Sequence, residues 1–168
     1  MGEFDAMTRR GFLSRTVSTA AAPLVIPAAA LGLGNTTPPS DRITLGAIGL
    51  GKRNQNNLKR FLKEQDVQVL ATCDCFADRR ELSKQIVDKH YGSDDCVAYR
   101  LHEEVLARKD IDAVLIGTGD RWHVPMNVLA ARAGKDIYCE KPFSITIGEG
   151  RTLVETTKRY GTIWQCGT

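Results

Sequence analysis

The chain has 168 residues, of which 42% are hydrophobic and 26% are charged. These values are typical of a globular protein and exclude a wholly disordered chain. The formal net charge is +3, with 23 basic and 20 acidic residues and no basic stripe, which argues against nucleic acid as a partner. The five cysteines form no C-x-x-C pair and have no histidine at zinc spacing. We therefore predict no metal site, and an odd cysteine count disfavours a disulfide scaffold.

The pattern of the N-terminal segment indicates a targeting signal. Residues 8–13 are Thr-Arg-Arg-Gly-Phe-Leu, and an alanine-rich stretch with two prolines follows. This stretch is too weakly apolar for a membrane-spanning helix, which needs about 20 strongly apolar residues. We predict a cleavable twin-arginine signal peptide over residues 1–30, a linker over residues 31–41, and export to the periplasm by the twin-arginine machinery. A disordered arm with a chance arginine pair is the alternative.

The body of the chain alternates between short apolar runs and amphipathic segments. The apolar runs predict strands over residues 43–48, 67–72, 97–99, 113–116, 137–139 and 162–165. The segments between them predict helices over residues 53–64, 77–90, 102–108, 124–133 and 146–160. Such alternation implies right-handed β-α-β crossovers and a parallel sheet with helices on both faces. We predict a doubly wound α/β Rossmann domain over residues 42–168, with strand order 3-2-1-4-5-6. Cys73 and Cys139, at the ends of apolar runs, are expected in its core.

The turn after the first predicted strand carries a phosphate-binding pattern. Residues 49–54 read Gly-Leu-Gly-Lys-Arg-Asn, close to the G-x-G-x-x-G fingerprint. Gly49 permits the tight turn, Gly51 lets the backbone approach a pyrophosphate, and the helix N-terminus offers unpaired N–H groups. The third glycine, which governs helix–strand packing, is replaced by Asn54. We predict that a dinucleotide contacts Gly49, Leu50, Gly51, Lys52 and Arg53.

An acidic residue follows the second predicted strand. Asp74 lies 23 residues after Gly51, and an acid at about this spacing binds the ribose hydroxyls of NAD and repels a 2′-phosphate. Asp74 is therefore predicted to bind the cofactor. Arg79 and Arg80 follow closely and keep NADP as an alternative. A role for Asp74 as a helix cap alone is the structural alternative.

Two further polar segments follow the fourth and fifth predicted strands. Residues 117–123 read Gly-Thr-Gly-Asp-Arg-Trp-His, and residues 140–142 read Glu-Lys-Pro. In open parallel sheets, ligands bind beyond the carboxyl ends of the strands. Each segment therefore places polar and charged side chains at the ligand-facing edge of the sheet.

The Glu-Lys-Pro segment resembles a motif of the glucose–fructose oxidoreductase/inositol dehydrogenase family. Residues 112–123 and 133–142 also look like that family's fourth and fifth strand regions, and the resemblance covers roughly residues 42–168. One departure is Gly119, where the family usually has proline, and Asn54 is the other. The resemblance implies an NAD(P)-dependent oxidoreductase acting on a sugar, sugar acid or cyclitol, with NAD as the expected cofactor.

The resemblance also implies the roles of individual residues. Lys141 is identified as the catalytic residue, since its ammonium can hold a substrate hydroxyl near the nicotinamide and favour a developing alkoxide. Glu140 is expected to support the loop or the cofactor. Thr118, Trp122, His123 and Lys141 are likewise expected near the cofactor, with packing of Trp122, a structural histidine and a solvated lysine as the alternatives.

The same family continues, after its sixth strand, into a second α/β domain. That domain supplies most substrate contacts, an acid–base His or Asp and the oligomer interface. The resemblance therefore implies that this sequence ends before the substrate domain of a longer, homo-oligomeric enzyme and is inactive alone. An NAD-dependent glycoside hydrolase of the same family and a non-catalytic dinucleotide-binding module are the alternatives.

Overall fold

The computed structural model describes residues 37–168. The predicted signal peptide and the first six residues of the predicted linker lie outside the described residues. The rest of that linker includes a single 3₁₀ turn, Pro39–Asp41. Among residues 37–168, none of the helices combines the length and the apolar character that crossing a membrane requires.

Every predicted strand and helix is present between residues 43 and 166, with ends that differ by at most three residues. The strands are β1 (Ile43–Ile48), β2 (Val67–Cys73), β3 (Val97–Tyr99), β4 (Ala113–Ile116), β5 (Asp136–Cys139) and β6 (Trp164–Cys166). The helices are α1 (Lys52–Phe61), α2 (Ala77–Tyr91), α3 (His102–Leu106), α4 (His123–Arg132) and α5 (Ile147–Tyr160), and a 3₁₀ turn, Asp120–Trp122, precedes α4.

The largest difference from prediction is at the end of α1. The N–H groups of Lys63 and Glu64 donate to carbonyls three residues back, at 3.0 and 3.1 Å. The last turn is therefore tightened into 3₁₀ geometry, which ends the α-helix before the predicted boundary.

The six strands form one parallel sheet in the order β3-β2-β1-β4-β5-β6, which confirms the predicted topology. The chain crosses from one half of the sheet to the other between β3 and β4. Because β4 pairs with β1, from Leu45↔Ala113 to Ile48↔Ile116, the loops after these two strands leave the sheet side by side. This is the switch point at which α/β sheets of this topology bind ligands.

Apolar residues pack on both faces of the sheet. On one face, Leu58 of α1 and Val87 of α2 pack against Val69 of β2. On the other face, Val105 of α3 and Met126 of α4 belong to a second buried cluster with residues of β2, β4 and β5. Complete burial of such a side chain contributes about 1.5–3 kcal/mol. The two helical layers confirm the doubly wound architecture.

Two of the cysteines belong to this core. Cys73 and Cys139 are buried, at 3% and 0% exposure, as the sequence predicts. Burial is the main cause that raises the pKa of each thiol to about 12. Both thiols therefore stay protonated at neutral pH, as buried core cysteines do.

Asn54, the departure from the glycine fingerprint, is accommodated by a glycine on another strand. Its side chain is buried, and Nδ2 donates to the carbonyls of Ile48 and Gly49, at 3.2 and 2.8 Å. It occupies the space beside Gly117, where a Cβ would collide with the Asn54 side chain. The close approach of helix and strand that the third glycine normally permits therefore depends on Gly117.

The Gly117→Ala variant should be destabilised by about 1–3 kcal/mol, since an added methyl group in a packed site forces its neighbours to move. Urea unfolding measures the change in the free energy of unfolding. Adding Asn54→Gly should recover part of the loss. Strictly additive effects of the two substitutions would contradict the proposed contact.

Candidate functional site

The turn between β1 and α1 needs glycine for two different reasons. Gly49 has φ +77°, its N–H donates to the carbonyl of Cys73 at 2.8 Å, and a Cβ there would lie 2.7 Å from backbone atoms of Thr118. Gly51 has an ordinary φ, and the space around its missing Cβ is open. Gly49 is thus required by the fold, whereas Gly51 leaves space that a ligand can occupy.

The N-terminus of α1 has unpaired backbone donors. The first helical hydrogen bond runs from Gln55 N–H to the Gly51 carbonyl, at 3.0 Å, and no described side chain caps the helix. The N–H groups of residues 51–54 donate in none of the hydrogen bonds formed within residues 37–168. Together with the helix dipole, these unpaired donors are a feature that favours an anion at a helix N-terminus. Lys52 and Arg53 are exposed there, whereas the Leu50 side chain lies in the core.

A cleft of about 490 Å³ lies at the carboxyl ends of β1, β2 and β4. Five of the predicted site residues line it: Gly49, Gly51, Asp74, Thr118 and Trp122. Trp122 is 57% exposed. The hydroxyl oxygen of Thr118 is buried and has no hydrogen-bond partner among the described residues. The predicted turn and strand-end residues therefore do converge on one concave surface.

Several lining residues were not predicted, among them Cys75, Phe76, Arg100, His102 and Met126. Arg100 and His102 follow β3 directly, so the rule that ligands lie at carboxyl ends of strands, applied to the weak third strand, would have found them. Of the two arginines after β2, Arg79 lines the cleft with its guanidinium 4.4 Å from the centre of the Phe76 ring. Arg80 instead donates to the backbone carbonyl of Asp74, at 3.2 Å.

Asp74 is buried at the edge of the cleft, with 6% exposure. Its Oδ2 accepts from the N–H of Leu50 at 2.6 Å, and its Oδ1 accepts from the N–H of Phe76 at 2.9 Å. The residue at the N-cap of α2 is Phe76, whose side chain makes no capping hydrogen bond, and Asp74 accepts from the N–H of Phe76 rather than from an N–H inside the helix. The carboxylate thus lies between the turn that follows β1 and the end of β2.

A second polar cluster lies at the end of β5. The Oε1 of Glu140 accepts from Arg53 Nε at 2.8 Å and from Asn57 Nδ2 at 2.6 Å, and its Oε2 accepts from the Lys141 N–H at 3.2 Å. Burial acts to raise the pKa of Glu140, but the hydrogen bonds from Asn57, Arg53 and the Lys141 N–H and the charge of Arg53 outweigh it and lower the pKa. Glu140 is thus an ionised link between α1 and β5.

His123 connects the loops that follow β4 and β5. The ring is buried, with Nδ1 2.6 Å from the Pro142 carbonyl oxygen and Nε2 3.1 Å from the Thr118 carbonyl oxygen. Lys141 is exposed, forms no ion pair with residues 37–168 and does not line the cleft. The turn that carries Lys141 is therefore joined to the cleft through His123 and Thr118. Among the described residues, no three His, Cys, Asp or Glu side chains group as metal ligands.

Comparison with known proteins assigns the family. Residues 43–168 match the family described as "Oxidoreductase family, NAD-binding Rossmann fold". The chain belongs to this family. The match confirms the resemblance to the glucose–fructose oxidoreductase/inositol dehydrogenase family that the strand-end motifs indicated.

Individual relatives agree with this assignment. A glycosyl hydrolase family 109 protein of Shewanella pealeana is 30% identical over 135 residues, which cover 76% of this chain and 28% of that protein. An NAD-binding protein from Listeria innocua has 26% identity and a TM-score of 0.66, covering 75% of this chain and 34% of that one. The myo-inositol 2-dehydrogenase of Lactobacillus plantarum shares the fold, with 23% identity and a TM-score of 0.66. The match covers 75% of this chain and 36% of that one. The chain thus spans under a third of its curated relatives' length.

Replacing Glu140 by glutamine should lower the free energy of unfolding at pH 7 by about 1–3 kcal/mol, since the buried donors lose a charged acceptor. The pKa of Glu140 is lower in the folded chain than in the unfolded one. Its contribution is therefore present above the unfolded pKa of about 4.3 and is lost as the pH falls further. Urea unfolding at pH 7 and at pH 3 measures the free energy of unfolding of both chains. The variant should fall further below the unaltered chain at pH 7 than at pH 3.

Glu155→Gln is the matched control, because Glu155 is exposed on α5. It should change stability little at either pH. An equal loss in Glu140→Gln at both pH values would contradict an ionised role for Glu140.

Proposed function

We propose that this chain is the NAD-binding domain of an exported oxidoreductase that transfers hydride between nicotinamide and a carbinol carbon of a sugar, sugar acid or cyclitol. The observation that carries the proposal is the cleft at the switch point, which adjoins an α1 N-terminus with unpaired N–H groups. Membership of an NAD-binding oxidoreductase family agrees with it.

The residues around the cleft fit a dinucleotide. The N–H groups of residues 51–54 can donate to a pyrophosphate, and the open space at Gly51 lets the phosphates approach the backbone. The unpartnered Thr118 hydroxyl supplies a further polar atom at the same edge. Burial of this hydroxyl without a partner is unfavourable, and a bound ligand would supply the missing hydrogen bond.

The choice of NAD rests on Asp74. Its carboxylate lies at the end of β2 and lines the cleft, where it can accept from ribose hydroxyls and repel a 2′-phosphate. Arg79 and Arg100 line the same cleft and favour NADP by their charge. We propose NAD because the carboxylate is buried, so its charge is less screened than those of the exposed arginines.

Lys141 is the residue we propose for catalysis. The bound nicotinamide supplies the hydride donor or acceptor. The exposed ammonium of Lys141 would hold the substrate hydroxyl and stabilise negative charge developing on its oxygen. Glu140 bonds the Lys141 N–H, and His123 contacts the Pro142 carbonyl, so the turn is held on both sides of the lysine.

The proposed enzyme is exported to the periplasm and is a homo-oligomer. The adjacent arginines at residues 9–10, followed by Phe-Leu, support export by the twin-arginine machinery to the periplasm. This route carries folded proteins and therefore suits a domain that binds its cofactor before export. Substrate contacts and a homo-oligomeric interface are proposed for the part of the enzyme that the relatives contain beyond the matched region.

A glycoside hydrolase that uses NAD is the second candidate, since the Shewanella pealeana relative is named as a glycosyl hydrolase. Such an enzyme oxidises one sugar carbon transiently, which permits elimination of the glycoside, and then returns the hydride. The binding domain has the same task in both reactions. The two candidates differ in whether NADH accumulates.

Calorimetric titration of the chain tests the cofactor site. We expect NAD⁺ to bind at least about tenfold more tightly than NADP⁺, a difference of about 1.4 kcal/mol. Gly51→Trp should abolish binding by filling the open space, without unfolding the chain. Failure of a folded chain to bind either dinucleotide would contradict the proposed domain function, and tighter NADP⁺ binding would contradict the cofactor choice alone.

The complete enzyme tests the reaction. With free sugars or cyclitols as substrates, an oxidoreductase should produce one NADH for each product formed, measured by absorbance. A hydrolase should release sugar from a glycoside without net NADH. In either case Lys141→Met should lower kcat by about a hundredfold or more; unchanged kcat would exclude Lys141 from catalysis.

A further inference from the structure

We propose that Asp74 is a positioning residue of the phosphate turn, so that one carboxylate couples recognition of the ribose to binding of the phosphates. The inference rests on the proposed function, since it assumes that the cleft binds a dinucleotide. It goes beyond ribose recognition, because it assigns to Asp74 an effect on a part of the ligand that it does not touch.

The contact between Asp74 and the turn is short and buried. The N–H of Leu50, the residue between the two glycines, donates to Asp74 Oδ2 at 2.6 Å. The Leu50 side chain is fully buried, and Asp74 is 6% exposed. A hydrogen bond to an ionised acceptor is about twice as strong as a neutral one, and low polarity strengthens it further. The carboxylate therefore restricts the backbone at the centre of the turn.

The carboxylate is itself held in place by the end of β2. Its Oδ1 accepts from the Phe76 N–H at 2.9 Å, so both oxygens have a fixed backbone partner. Next to this contact, the Gly49 N–H donates to the Cys73 carbonyl at 2.8 Å. Two consecutive donors of the turn are thus bound by two consecutive residues of the chain at the end of β2.

These contacts divide the donors of the turn into two groups. The N–H groups of residues 49 and 50 are used by β2, whereas those of residues 51–54 have no partner within the described residues. The free donors are the ones a pyrophosphate can use. If the Leu50 N–H were released, the turn would keep only the Gly49 bond to the end of β2, and the peptide group between Leu50 and Gly51 would be less restricted.

Asp74 also keeps capacity for the ribose. A carboxylate has about four acceptor positions. The two N–H bonds and the bond from the Cys75 thiol to Oδ1, at 3.6 Å, use three of them. Because Asp74 lines the cleft, the remaining position can accept from a ribose hydroxyl. The same side chain can therefore contact the nucleoside and support the turn that binds the phosphates.

The test compares two ligands that share the nucleoside and differ in the phosphates. Adenosine and ADP are titrated, by NMR and calorimetry, against the full chain, Asp74→Asn and Asp74→Ala. We expect each substitution to weaken ADP binding about tenfold more than adenosine binding, as loss of a charged hydrogen bond implies. Asp78→Asn, at an exposed position in the first turn of α2, is the matched control and should change neither affinity.

The outcomes separate this inference from the proposed function. Equal losses for adenosine and ADP would overturn the positioning role and leave a ribose contact. Absence of NAD⁺ and ADP binding by the folded, unaltered chain would overturn the proposed function instead.

Amide hydrogen exchange gives a second test that needs no ligand and no folded variant. In the unaltered chain, the Leu50 N–H should exchange far more slowly than the N–H groups of residues 51–53. Rapid exchange at Leu50 would overturn the positioning role of Asp74 even if every Asp74 variant unfolds.

Discussion

The parallel pairing of β1 with β4 is the constraint on which the rest of the site depends. This pairing places the loops after the two strands side by side. Gly49 then meets Thr118 so closely that no side chain fits between them, and Asn54 fills the space beside Gly117. The cleft, its opening at Gly51 and the position of α1 all follow from this contact between two strands that are distant in sequence.

Two buried carboxylates hold the start of α1 relative to its neighbours. Asp74 bonds the turn before the helix to the end of β2, and Glu140 bonds Arg53 and Asn57 to the end of β5. A buried carboxylate is unfavourable without partners and strongly bound when its oxygens are satisfied. The acids at strand ends thus have structural partners as well as the ligand-binding roles expected of them.

The site has two separate parts, and a buried side chain lies between them. The cleft lies over β1, β2 and β4, whereas Lys141 follows β5 and stands outside the cleft lining. His123 contacts carbonyl groups from both loops and so connects the proposed cofactor and catalytic regions. The buried ring thus packs between the two loops and lies within hydrogen-bonding distance of a carbonyl oxygen of each.

Local patterns in the sequence determined the strands, the helices and the glycine turn, because periodicity and turn chemistry act between residues close in the chain. The order of the strands followed from the general rule for alternating strands and helices. The same patterns also placed Asp74 and Thr118 at the correct edge, since carboxyl ends of parallel strands share one edge. Only the tertiary structure decided that Leu50 bonds Asp74, that Gly117 makes room for Asn54, and that Arg79 rather than Arg80 lines the cleft. These contacts depend on side-chain direction and on segments brought together by β-sheet pairing, which no local pattern contains.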